Sequence, residues 1–100
     1  MKMEILGNTL RVSSVLQLGE TNASAFRDCV QNAFADSYKN IEVDLSATTF
    51  IDSSGLGALV ALHKAAARRQ GALRLLNPPP SVLQILELTR LDRILEIVKR

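Results

Sequence analysis

The sequence predicts an α/β fold, a largely parallel sheet with helices packed on it and an antiparallel hairpin at one edge. Three observations lead there. Short β-branched runs alternate with stretches of helical period. The first two runs are separated only by Gly7-Asn8, residue types that tolerate the positive φ of a tight hairpin turn. The resulting order is β-β-α-β-α-β-α-β, and strands joined through helices lie parallel.

The elements follow in turn. Residues 3–6 and 9–16 form the hairpin, the second run marked by Leu10 and Val12, and Gly19-Glu20-Thr21-Asn22 breaks it. Asn22 is placed as the N-cap of a helix in which Phe26, Cys29, Val30, Ala33 and Phe34 recur at amphipathic spacing. Arg27, Asp28, Gln31, Asp36 and Lys39 fall on its polar side, its end is expected at 38–40, and Cys29 is expected as a buried, inert thiol. Residues 41–45 read as a strand, and Phe50-Ile51 continue the apolar signal. A second helix is predicted over 54–69, with Leu56, Leu59, Val60 and His63 on one stripe, and Gly71 as its C-cap. Residues 72–76 form the next strand, and Asn77-Pro78-Pro79-Pro80 must be a loop. Ser81 is expected to cap a third helix bearing Val82, Ile85, Leu86 and Thr89; 90–93 turn, and 94–98 make the last strand.

Composition sets the limits. One hundred residues, 47% hydrophobic and 22% charged, suit a single small domain with one core. Aromatics at 4% leave no stacking platform for bases, and a net charge of +2 is too mild for a nucleic-acid partner. The charge is uneven: residues 1–50 hold four basic and six acidic side chains, and 51–100 hold eight and four. Cys29 and His63 are each alone, which excludes an internal disulfide and any multi-cysteine or histidine-based metal cluster. No metal or other cofactor is expected. Without an apolar leader or a membrane-length apolar run, a soluble cytoplasmic protein with no membrane partner is the expectation.

The informative run is Phe50-Ile51-Asp52-Ser53-Ser54-Gly55-Leu56-Gly57, between a strand and a helix. Unpaired backbone N–H groups and the helix dipole favour negative charge at such a place. A phosphate on a serine there would leave the helix intact and still add nearly two negative charges to the surface. Gly55 leaves the neighbouring Ser54 hydroxyl unshielded, and Gly57, one turn on, admits close approach at a helix-propensity cost of about 1 kcal/mol against alanine. Taken alone, a serine-rich helix start is most often a capping cluster. The run is neither a P-loop nor a nucleophile elbow, and His63 lies nine residues beyond Ser54, too far along the helix to act as its base. An enzyme is not expected.

With Val43-Asp44-Leu45-Ser46 upstream, and Gly71, Leu75-Leu76-Asn77 and residues 82–91 downstream, the run resembles the STAS family of sulfate transporters and anti-sigma factor antagonists. The resemblance spans nearly the whole chain, read as one domain over 1–100. It implies a STAS-like fold of four to five mostly parallel strands, an N-terminal β-hairpin and three or more helices packed on the sheet. In small antagonists the hydroxyl residue directly before the motif glycine is the phosphorylation site, here Ser54. Asp52, Ser53, Ser54, Gly55, Leu56, Gly57 and Asn22 are then the expected kinase- and partner-binding residues. The implied scheme is a partner switch. The unmodified protein binds an anti-sigma factor that is also a GHKL-type serine kinase, phosphorylation of Ser54 releases it, and a PP2C-type phosphatase restores binding. A monomer or weak dimer is expected. Two departures stand out: Asn22 occupies a position where many antagonists have Asp, and Ala47-Thr48 replace a commoner Gly-Val pair. The alternative is a constitutive STAS subunit, bound without phosphorylation to an ATPase of an ABC-type lipid transporter or of a stress-signalling complex.

Overall fold

In the computed structural model, which describes residues 1–100 throughout, strand β1 (Lys2–Leu6) pairs antiparallel with β2 (Thr9–Ser13). The turn closes because Gly7 adopts φ +63°, a region open to a residue without Cβ. The expected strand over 9–16 is shorter than predicted. Ser14, at φ +57°, swings the chain off the sheet, and a separate two-residue strand β3 (Gln17–Leu18) follows.

Helix α1 (Ala23–Ala33) then leads to β4 (Asn40–Asp44), and β5 (Phe50–Ile51) pairs in parallel with β3 as a small ribbon apart from the main sheet. Helix α2 (Ser53–Ala67), β6 (Leu73–Leu76), α3 (Pro80–Leu88), one 3-10 turn (Leu91–Arg93) and β7 (Glu96–Val98) complete the chain. The five-stranded sheet has the order β1-β2-β4-β6-β7, parallel except at the β1 edge. From β2 onwards each helix-bearing crossover steps to the next strand in one direction. Right-handed crossovers of that kind put the helices on one face. On that face Leu10, Val12, Ile41, Val43, Leu73 and Leu75 pack with Phe26, Val30, Leu59, Leu62 and Leu86 in one buried cluster.

The other face bears a row of charges. Glu4, Arg11, Glu42, Arg74 and Glu96 stand opposite one another across all five strands, alternating in sign. Glu42 at the centre is only 6% exposed. Its carboxylate accepts from Arg11 Nε at 3.0 Å and Nη2 at 2.9 Å, and lies 4.0 Å from Arg74 and 3.5 Å from Arg100. Arg74 in turn meets Glu96 at 2.8 Å. A nearly buried carboxylate is tolerable because cations close it in.

Four further sequence expectations fail locally. Helix α1 stops at Ala33 rather than at 38–40, because Arg69, beyond the end of α2, gathers the chain that follows it. Its guanidinium donates to the Phe34 carbonyl at 2.9 Å, to that of Tyr38 at 3.1 Å and to that of Ala35, and lies 3.9 Å above the Phe34 ring. Cys29 is exposed rather than buried, since the inward stripe is Ala23, Phe26 and Val30 and the thiol falls on its flank. Ser81 does not cap α3; Pro80 opens the helix one residue earlier, where its missing N–H costs nothing. Gly71 is not the left-handed C-cap of α2. Gln70 takes the positive φ, at +62°, and Gly71 is required because a Cβ there would collide with the Lys39 carbonyl.

Candidate functional site

The start of α2 is built by Asp52. The residue is extended, at φ −123° and ψ −171°, as an N-cap must be, and its Oδ1 accepts from the Gly55 N–H at 3.1 Å. Its Oδ2 accepts from the Glu20 N–H at 3.0 Å. One carboxylate therefore ties the loop before α1 to the first turn of α2. These two backbone bonds, Gly55 first, hold the Asp52 carboxyl below its ordinary pKa, because they favour the ionised form.

Gly55 is buried, and the reason differs from an unshielded hydroxyl. A Cβ on it would collide with the Leu18 carbonyl and come within 2.9 Å of the Ile51 side chain. Strand β3 thus runs directly against the helix start, and only glycine fits there. Gly57 is the opposite case: it is exposed, and nothing lies within 4 Å of the place its Cβ would take. The fold does not demand a glycine at 57.

Ser53 and Ser54 are both exposed on the first turn, so the hydroxyl at 54 is reachable from solvent and the helix begins within one residue of its predicted start. Ser54 and Gly57 line a groove of about 350 Å³ between α1 and α2, together with Glu20, Ser24 and Arg27. Arg27 is half-exposed there, and its only ion pair is to its neighbour Asp28 at 3.1 Å. Beside the same helix start, Phe50 is 51% exposed and crosses the bare backbone of Gly19, and Leu16 is 67% exposed.

Besides the buried Gly55, two residues of the expected set do not join this surface. Leu56 points into the core, 8% exposed, because it lies on the buried stripe of α2 with Leu59. Asn22 occupies the N-cap position of α1 but makes no side-chain cap bond. Its Oδ1 accepts from the Gly19 N–H and its Nδ2 donates to the Gln17 carbonyl, each at 2.9 Å. The amide thus clips its own loop, with a donor that Asp would lack. Its side chain lines a different, apolar groove of about 430 Å³, with Val15, Leu16, Phe26 and Cys29. Glu20, Ser24 and Arg27 were not singled out from sequence. Ser24 and Arg27 stand one turn apart on α1 and Glu20 in the loop before it, but which helix they would face is not a local property.

The geometry defines a class: a small α/β domain that presents a serine-bearing helix start on its surface. The chain belongs to the STAS domain family, whose model matches residues 1–100. It is 35% identical over 82 residues, 81% of this chain and 73% of the relative, to a Thermotoga maritima protein provisionally named an anti-sigma factor antagonist. The crystal structure of that T. maritima protein, TM1081, aligns with a TM-score of 0.87 and 29% identity, over 99% of this chain and 85% of the other. The anti-sigma factor antagonist SpoIIAA in its unphosphorylated form aligns at 0.86 and 21% identity, covering 99% and 86%. The phosphorylated form of Bacillus SpoIIAA aligns at 0.77 and 20%, covering 99% and 89%. No helix of the chain is long and apolar enough to cross a membrane.

Proposed function

We propose that this chain is an anti-sigma factor antagonist, switched by phosphorylation of Ser54. The observation that carries the reading is the exposed hydroxyl at position 54, on the first turn of α2 and directly before a glycine that packing demands. The T. maritima relative's name supports the antagonist role, and the existence of SpoIIAA in two phosphorylation forms supports the switch.

In this scheme the unmodified face around Ser53, Ser54 and Gly57 docks on an anti-sigma factor that is a GHKL-type serine kinase. Bound ATP and Mg²⁺ belong to that kinase. The Ser54 oxygen attacks the γ-phosphorus, the bond to the bridging oxygen breaks, ADP leaves, and the hydroxyl proton passes to a base on the kinase. The chain itself supplies only the nucleophile and its placement. The new dianion rests at the positive end of α2, so the fold is kept while the docking face gains charge. A PP2C-type phosphatase reverses the reaction by hydrolysis.

The test is to incubate the chain with the cognate kinase and ATP, map modification by mass spectrometry and measure binding by calorimetry. One phosphate on Ser54 is expected, with Ser53→Ala modified normally. Ser54→Ala should bind and stay unmodified, and Ser54→Asp should bind about tenfold or more weakly, the cost of a like or unpaired charge in an interface. Modification elsewhere, or binding indifferent to Ser54→Asp, would overturn the reading and favour a constitutive subunit.

A further inference from the structure

From the groove between α1 and α2 we infer that phosphate carried on Ser54 is received by Arg27. This rests on the reading that Ser54 is the modified residue, and it names the chain's own counter-group for that charge. Arg27 is the cation lining the groove that Ser54 opens on, and the Ser24 hydroxyl, one turn earlier on α1, lines the same wall. The space of about 350 Å³ is ample for a phosphate, and the bare backbone of Gly57 leaves it unobstructed.

Arg27 is also available. Its present partner is the adjacent Asp28, at 3.1 Å, and both side chains are substantially exposed, 40% and 60%. Exposed ion pairs of this kind are weak. A phosphate dianion, with geometry that suits a guanidinium fork, outcompetes a single exposed carboxylate. Two carboxylates act the other way: Glu20 lines the groove, and Asp52 caps the helix beside it. Without Arg27 the dianion would face those two acids with only the helix end in its favour. Arg27 thereby links the two helices in the modified state and holds the phosphate close to the surface, where a partner meets one compact negative site.

The experiment uses the full chain with phosphoserine installed at position 54 during synthesis, so no kinase is involved. Its second ionisation is followed by ³¹P NMR in the parent sequence and in Arg27→Gln. An unperturbed phosphoserine titrates near about 6. Arg27→Gln should raise the value relative to the parent by about half a unit or more, because an opposite charge nearby favours the dianion. The gap should narrow as salt is added. Equal titration in the two proteins, or a lower value in Arg27→Gln, overturns the inference. That outcome leaves phosphorylation by a kinase standing. Failure of a kinase to modify Ser54 would in turn leave this titration unchanged.

Discussion

The open face of the sheet and the start of α2 use charge in opposite ways. On the sheet, Glu42 is enclosed by Arg11, Arg74 and Arg100, and the row from Glu4 to Glu96 alternates in sign from strand to strand. At the helix start, Asp52 spends both oxygens on backbone N–H groups, and Ser53, Ser54 and Gly57 are left exposed around it. One region is closed and self-satisfied. The other is rigid underneath and bare on top. Charge that is matched within the chain specifies register, because a one-residue slip of any strand would turn its charged side chain to the opposite face and leave its neighbours unpaired. A bare surface on a rigid base suits recognition instead.

Breaking either region tests the contrast. The largest effect is expected from Gly55→Ala, which drives a Cβ into the Leu18 carbonyl and forces backbone apart; about 3 kcal/mol of stability should be lost, read by urea denaturation. Glu42→Ala comes next. It leaves three guanidinium groups facing one another, and because those arginines are partly solvated the loss should be about 2 kcal/mol, below the range for a fully buried pair. Gly57→Ala should do the reverse and stabilise by up to about 1 kcal/mol, since helix propensity improves and nothing is struck. The same variant should bind the proposed kinase partner less tightly, so that melting temperature and affinity move in opposite senses.

The smallest effect concerns acid. The Asp52 carboxyl is depressed in the folded chain, so its contribution is complete above the unfolded value of about 4 and is lost as pH falls through the depressed native value. Denaturation midpoints measured from pH 6 down to pH 2 should therefore fall more steeply for the parent than for Asp52→Asn. Parallel curves would show that Asp52 contributes geometry alone.

Much of this was legible in the sequence wherever the cause is local. Asp52, Ser53 and Ser54 mark a helix start through side-chain chemistry that acts within three residues, and α2 begins within one residue of where it was expected. Gly7-Asn8 announces a hairpin for the same reason. What could not be read are features decided by distant chain. Arg69 ends α1 from more than thirty residues away, and Leu18 dictates Gly55 across a similar gap. The inward turn of Leu56, the outward turn of Cys29 and the loop-clipping role of Asn22 depend on which neighbour each element finds. The charge row is the clearest case. Each strand contributes one acid or base to the row, and the pattern exists only once five strands are laid side by side.

Gly57 has a consequence for anyone engineering this chain. A selection for heat resistance alone would accept alanine there readily, since the folded state gains and no contact is disturbed. If Gly57 belongs to the docking face of the proposed switch, the hardened protein would keep its fold and lose affinity for its partner. On that reading, screens for thermal tolerance in domains of this kind need a binding step beside the heating step, because heat alone does not register what an exposed glycine is for.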